Sequence, residues 1–165
     1  MRRAMDPRSP VIRQARPSDL DSLHRLETEC FGGSALPISQ MRWLLESQGE
    51  NPAFVVRVAH EADRPEELLG FICWKRRDDD LTPGYDILDL SVGKLYREER
   101  VEHALLAHLI ETGTQEKMLG ISVNVARSNL AAAAFYLSHA FNLAHSVERY
   151  YADGSAMEVF VKRLR

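Results

Sequence analysis

The order in which the hydrophobic period changes along the second half of the chain restricts its fold most strongly. Ile87–Val92 is a β-rich run, Val101–Leu109 places apolar residues on one helical face, and Ile121–Val125 is again β-rich. Two parallel strands need a long crossover connection, and such crossovers are right-handed. The segment therefore predicts a parallel strand pair bridged by a helix, within an α/β domain.

The rest of the chain predicts further strands and helices around this unit. The other strands are predicted from β-rich runs at Val11–Arg13, Phe54–Ala59, Leu69–Trp74, Leu143–Tyr150 and Met157–Leu164. The other helices are predicted from apolar residues at helical spacing, over about 19–30 with Ser18 or Asp19 as cap, around Met41–Leu45, and over Asn129–His139. Phe54–Ala59 and Leu69–Trp74 should form an antiparallel pair, joined through the linker-like segment 61–67. The predicted order is β-α-α-β-β-β-α-β-α-β-β.

Composition sets the broad class of the protein. The 165 residues, 45% hydrophobic and 27% charged, suit one globular domain, for which we expect residues 11–165 after a flexible leader over 1–10. A net charge of −3 disfavours general nucleic-acid binding. No apolar run approaches the roughly 18 residues that cross a bilayer, so no membrane partner is expected. Cys30 and Cys73 have no CxxC spacing, and the histidines lack ligand spacing, so we expect no metal and a reducing, cytoplasmic setting.

Two motifs carry a resemblance to a known family. The segment 127–132, Arg-Ser-Asn-Leu-Ala-Ala, with Phe135-Tyr136 and Ala140-Phe141 after it, resembles the R-x-S-N-x-x-A-x-x-x-Y-x-x-x-G-F segment of the GNAT superfamily of N-acetyltransferases, with a shifted arginine. Within that superfamily the chain is similar to the ribosomal-protein amino-terminal acetyltransferases. The resemblance implies a GNAT fold: an α/β (α+β) domain with a mixed, mostly antiparallel sheet of about seven strands, a central splayed parallel pair and about four helices.

The second motif departs from the family's pattern. Residues 95–106 align with the pattern Y-R-G-x-G-I/V-G-x-A-L-L, whose loop wraps the pyrophosphate of acetyl-CoA, but Glu98, Arg100 and Glu102 replace its three glycines. Glycine lets a backbone approach phosphates without a Cβ in the way. The resemblance implies cofactor contacts from the backbone of the strand predicted at Ile87–Val92, from this loop and from the Ser-Asn helix. These residues are Leu90, Ser91, Val92, Arg97, Glu98, Glu99, Arg100, Val101, Glu102, His103, Asn129 and Tyr136.

The residues for chemistry follow from the same resemblance. Acetyl transfer needs a group that takes a proton from the amine and an acid that protonates the leaving thiolate. Tyr136 matches the family's acid in type and spacing. Asn124 stands where amino-terminal acetyltransferases place a glutamate base, so Asp86, Asp89 or a water held by Asn124 is the candidate substitute.

Each of these residues also has a structural interpretation. Tyr136 is compatible with a core tyrosine whose hydroxyl bonds to backbone, and Asn129 with a plain helix cap. Tyr150 and Tyr151 would line the acceptor entrance in the family, although an Asp-Gly hairpin beside a tyrosine-rich strand edge accounts for the same residues. These alternatives stay open from the sequence.

The function that the resemblance implies is transfer of acetyl from acetyl-CoA to a primary amine, on a small molecule or a protein amino terminus. The alternative is a catalytically silent GNAT-fold module that binds a partner or another ligand, because the loop glycines and the base glutamate are both replaced. A homodimer formed by strand addition or helix packing is a further option that no sequence feature specifies.

Overall fold

A computed structural model describes residues 9–49, 52–78 and 81–165, apart from the side chains of residues 97–99. Within these residues the elements follow the predicted order. The strands are β1 (Val11–Gln14), β2 (Phe54–Glu61), β3 (Arg64–Arg77), β4 (Gly84–Val92), β5 (Gly120–Ala126), β6 (Asn142–Val147) and β7 (Met157–Arg163). The helices are α1 (Leu20–Phe31), α2 (Ile38–Glu46), α3 (Val101–Gln115) and α4 (Leu130–Ser138). Short 3-10 turns occupy Pro17–Asp19, Gly32–Ser34 and Lys94–Glu99.

The seven strands form one sheet in the order β1-β2-β3-β4-β5-β7-β6. The predicted parallel pair is present, with a register from Gly84 opposite Gly120 to Ile87 opposite Val123. On its far side, β5 pairs antiparallel with β7, and β7 with β6. The mixed, mostly antiparallel sheet with a single crossover pair confirms the predicted fold class.

The hairpin of β2 and β3 is longer than the sequence predicts. Segment 61–67 was expected to be linker-like, but only Ala62 and Asp63 connect the two strands, and β3 begins at Arg64. The first four residues of β3 are exposed. Because neither face of this stretch is buried, its side chains carry no hydrophobic alternation, and strand pairing alone extends the hairpin.

The chain divides into two compact units, which are described separately. The first contains residues up to Trp74 together with Asp89–Leu109. Its core includes α1, α2 and the inner face of β2 and β3, with Leu23, Met41, Leu45, Val56 and Phe71 fully or almost fully buried. Burial of a side chain of this size contributes about 1.5–3 kcal/mol. The second unit contains Lys75–Leu88 and Ile110–Arg165, and its buried residues include Tyr85, Ile121, Val123, Phe141 and Phe160.

The start of α1 is fixed differently from the prediction. Asp19 occupies the N-cap position but makes no side-chain cap bond. Its carboxylate instead pairs with both terminal nitrogens of Arg13, at 2.8 and 2.9 Å, and accepts the backbone N–H of Arg16 at 2.7 Å. Burial acts to raise the pKa of Asp19, but the hydrogen bonds from Arg13 and Arg16 outweigh burial and lower that pKa. Asp19 therefore ties β1 to the turn before α1.

Candidate active site

The end of β4 carries three of the predicted cofactor contacts, Leu90, Ser91 and Val92. Ser91 is buried, and its hydroxyl donates to Oδ1 of Asp89 at 2.8 Å. The Val92 carbonyl accepts the thiol of Cys30 at 3.5 Å. A Cβ at Gly70 of β3 would lie 2.7 Å from the Ser91 carbonyl oxygen, so only glycine permits this close approach of β3. The backbone at the end of β4 is thus held in place from the β3 side and by α1.

Asp89 forms an acidic pair with a residue that the sequence analysis missed. Glu27 of α1 is 4% exposed, and its Oε1 accepts the Leu36 backbone N–H at 3.0 Å. Its other oxygen, Oε2, is buried and receives no hydrogen bond from an N–H or hydroxyl group. Burial, a hydrogen bond with Glu27 and repulsion from Glu27 raise the pKa of Asp89 to about 8, against the lowering effect of the Ser91 hydroxyl. A signal was available, since Glu27 lies four residues after Leu23 on the apolar face of the predicted helix.

A buried thiol lies next to this pair. Cys73 of β3 is buried, and burial together with the charges of Asp89 and Glu27 raises its pKa to about 12. The thiol therefore stays protonated and adds no charge to the pair at neutral pH. Among the ion pairs of the described residues, none involves Glu27 or Asp89.

Asp86, the other proposed substitute base, has a different environment. Its Oδ1 accepts Nε of Arg77 at 2.7 Å and the hydroxyl of Ser122. Two donors, one of them the Arg77 guanidinium in an ion pair, thus already engage this oxygen. Asp89 is therefore the stronger candidate of the two.

The loop that replaces the glycine pattern keeps an unusual backbone. Arg100 adopts the left-handed conformation, with φ 62° and ψ 27°, directly before α3. An L-residue there costs about 1–2 kcal/mol that glycine would avoid. Val101 is buried, His103 is half-buried, and Oε2 of Glu102 is buried without a hydrogen-bond partner in the first turn of α3. The side chains of Arg97, Glu98 and Glu99 lie outside the described part of the chain.

A surface pocket of about 420 Å³ opens beside this loop in the first unit. Its wall includes Arg25, Glu29, Glu67, Lys94 and Tyr96, which mix both charge signs. The backbone N–H of Lys94 donates to Glu29 at 3.1 Å. Neither Asp89 nor Glu27 lines the pocket, so it is separate from the acidic pair.

The remaining predicted site residues lie in the second unit. Asn124 is exposed on β5, opposite Val159 of β7. Asn129 is the N-cap of α4, and its Oδ1 accepts the backbone N–H of Ala132 at 3.1 Å, which confirms the capping interpretation. Tyr136 is 5% exposed. Its ring packs edge-on against Phe141, with centroids 5.3 Å apart, so the tyrosine is part of the core and its catalytic role stays a prediction.

The end of α4 is closed by a motif that normally contains glycine. The Phe141 N–H bonds to the Tyr136 carbonyl at 3.1 Å, and the Ala140 N–H to the Leu137 carbonyl at 3.1 Å. These are the two bonds of a Schellman motif, and Ala140 occupies its left-handed position with φ 62°. The motif places Phe141 against Tyr136 and so fixes the position of the tyrosine ring.

A family model for the acetyltransferase (GNAT) family matches residues 20–141, about three quarters of the chain. The chain belongs to the GNAT acetyltransferase family. This membership confirms the resemblance drawn from the Ser-Asn segment and the loop before α3. A search of curated proteins finds no significant match.

Solved GNAT structures share the fold at low sequence identity. Ard1 from Thermoplasma volcanium is 21% identical with a TM-score of 0.76, and the match covers 94% of this chain and 97% of that one. The ribosomal-protein-S18-alanine N-acetyltransferase from Escherichia coli is 20% identical with a TM-score of 0.77, covering 94% of both chains. Arabidopsis thaliana NAA60 in complex with acetyl-CoA is 19% identical with a TM-score of 0.77, covering 93% of this chain and 98% of that one.

The described residues also bear on two other classes of site. No helix there is both long enough and apolar enough to traverse a bilayer. No group of three or more His, Cys, Asp or Glu side chains in the same residues is arranged to hold a metal ion.

Proposed function

We propose that the protein transfers acetyl from acetyl-CoA to a primary amine, with the amino terminus of a protein as the favoured acceptor class. The observation that carries the proposal is the backbone of Arg100. The family pattern has glycine here, and in this chain Arg100 adopts a left-handed conformation, which glycine favours. Strained backbone persists where the surrounding structure requires it, and it concentrates at functional sites. Membership in the GNAT family and the resemblance to solved N-acetyltransferases point in the same direction.

The loop before α3 is proposed to receive the pyrophosphate of acetyl-CoA. The free N–H groups and the dipole at the start of a helix favour an anion. Arg97 and Arg100 would supply positive charge in place of the missing glycines. The backbone of Leu90–Val92 would bind the pantetheine arm as an added strand, and the Val92 N–H would polarise the thioester carbonyl.

Asp89 is proposed as the proton acceptor. A base works best when its pKa lies near the working pH, and the pKa of Asp89 is raised to about 8. The ionised Asp89 takes one proton from the ammonium, and the amine nitrogen then attacks the thioester carbon. The new C–N bond forms as the C–S bond breaks, and the thiolate leaves with the proton of Tyr136. The second proton of the amine returns to the Tyr136 phenolate, which leaves amide, CoA thiol and protonated Asp89.

A silent binding module is the second candidate, and Glu102 favours it. Its buried, unpartnered Oε2 adds negative charge in the first turn of α3, where a pyrophosphate would bind. The negative charges of Glu102 and of a pyrophosphate would repel each other. In this case the fold would be kept and the acetyl-CoA site lost.

Isothermal titration with acetyl-CoA and, in parallel, with CoA separates the two candidates. Micromolar affinity supports the enzyme, and the absence of heat at millimolar ligand supports the silent module. A panel of peptides that differ in their first residue, incubated with acetyl-CoA and read by mass spectrometry, then tests the acceptor. The same peptides with acetylated amino termini are the control, and they should gain no mass.

A further inference from the structure

We propose that Glu27 is a positioning residue that shares a single proton with Asp89, so that the two carboxyl groups exchange that proton as one unit. The proposal rests on the proposed function and adds to it a second acidic group, which comes from α1. The first supporting observation is that one carboxylate oxygen of Glu27 receives no hydrogen bond from an N–H or hydroxyl group. Oε1 is satisfied by the Leu36 N–H at 3.0 Å, whereas Oε2 is buried and has no donor.

Two ionised carboxylates at this place would be costly. Neither could donate a hydrogen bond to the other, and both would lose solvation on burial. The groups that face Asp89 offer no compensating charge: Glu27 comes from α1, the neutral Cys73 thiol from β3, and the Ser91 hydroxyl from β4 itself. One shared proton removes one negative charge and gives Oε2 of Glu27 its missing partner.

The protonation state of the pair determines the pH range in which the site is active. With the proton in place the pair carries one negative charge and attracts the acceptor ammonium. When the pair loses the shared proton, both carboxylates are ionised. The pair can then take a proton from the acceptor ammonium and return to the singly protonated state. Activity should therefore rise with pH as the pair ionises, with an acidic limb near the pKa of about 8 that applies to Asp89.

Two substitutions should move this limb in opposite directions. Glu27→Gln keeps an oxygen for the Leu36 N–H, removes the second charge and turns an amide donor toward Asp89. The ionised Asp89 is then favoured, and its titration should fall by at least about one pH unit. Ser91→Ala removes a hydrogen bond that favours the ionised form, so the titration should move to higher pH. Glu46→Gln, an exposed carboxyl on α2 in the same unit, is the matched control and should leave the titration unchanged.

The experiment is a ¹³C NMR titration of the aspartate side-chain carboxyl carbons between pH 4 and pH 10, on the full-length protein without acetyl-CoA. The expected result is a wild-type Asp89 midpoint near pH 8 and shifts of opposite sign in the two variants. A wild-type midpoint near the ordinary value of about 3.9 overturns the proposal, as does a midpoint that does not move in Glu27→Gln. If Glu27→Gln fails to fold by circular dichroism, the glutamate carboxyl carbons of the wild type decide: a Glu27 carboxyl whose chemical shift changes together with that of Asp89 supports the shared proton, and one that shows no change at the Asp89 midpoint overturns it.

The titration needs neither cofactor nor acceptor, so its failure is distinct from failure of the proposed function. A shared proton in a protein that binds no acetyl-CoA would refute the enzyme and leave the pair intact. Acetyl transfer with an unshifted titration would refute the pair and leave the enzyme. Where transfer is measured, the acidic limb of kcat/KM should follow the NMR midpoint in each variant. A limb that stays fixed while the midpoint moves also overturns the role of Glu27.

Discussion

Replacing Ala140 with glycine should stabilise the protein. Ala140 is the left-handed residue of the Schellman motif that ends α4, with φ 62°. Its side chain is exposed, so the substitution removes no buried contact. The two capping bonds use backbone atoms only, and glycine preserves both.

The magnitude follows from two opposing terms. An L-residue in the left-handed region costs about 1–2 kcal/mol, which glycine does not incur. Glycine also increases the conformational entropy of the unfolded chain, and this reduces the gain in stability by about 0.4–1 kcal/mol. The expected net gain is roughly 0.5–1 kcal/mol in the free energy of unfolding. For a chain of 165 residues this corresponds to a rise in Tm of about 1–4 °C.

Urea unfolding followed by circular dichroism measures this gain, with thermal unfolding as a second assay. Ala134→Gly is the matched control, because Ala134 is exposed in the interior of the same helix. There the same change should cost about 0.5–1 kcal/mol. The two alanine-to-glycine substitutions should thus have opposite signs. Equal destabilisation by both would refute the argument that left-handed strain resides at Ala140.

Five further outcomes are expected. Arg100→Gly should stabilise the fold by a similar amount in urea, and Glu102→Gly should tighten acetyl-CoA binding in isothermal titration, because it removes a carboxylate beside the proposed pyrophosphate site and keeps Arg100; no gain in affinity would indicate a site rebuilt for another ligand. Tyr136→Phe should lower kcat about 100-fold or more at unchanged acetyl-CoA affinity, and an unchanged kcat would leave the tyrosine a core residue. Asp19→Asn should cost about 3 kcal/mol in urea unfolding, because a largely buried arginine loses its partner. The advantage of wild type should begin to decline below about pH 4, where an ordinary aspartate is protonated, and be lost as the pH falls through the lowered pKa of Asp19. Because folding raises the pKa of Asp89, the protonated Asp89 stabilises the fold fully below about pH 4, and this stabilisation is lost as the pH rises through about 8. The difference in the free energy of unfolding between wild type and Asp89→Asn should therefore decline across that range.

The fold could be predicted from the sequence because its signal is repeated over many residues. In residues 87–125 the spacing of hydrophobic residues changes from the period of a strand to the period of a helix and back, and this change predicts the parallel pair. Many core residues contribute to the same pattern, so no single residue decides it. The prediction was wrong where that signal is missing, at the exposed start of β3.

The candidate site depended on single residues and was less predictable. Arg100 stands where the family pattern has glycine, and its backbone nevertheless adopts the left-handed conformation that glycine favours. Propensity is a preference of about 1–2 kcal/mol, and tertiary structure can override it. Glu27 was missed because its partners come from residues 36 and 89, which are distant along the chain.

The buried thiol beside the acidic pair also makes local opening of the first unit measurable. Cys73 is 3% exposed with a pKa of about 12, so it is inert toward alkylating reagents while the surrounding structure is closed. Cys30 lies on α1 and is only half-buried. In a Cys30→Ser background, the rate at which iodoacetamide modifies Cys73 would report the frequency with which β3 separates from its neighbours. The alkylation rate of Cys73 would thus measure how often the region that holds Glu27 and Asp89 opens.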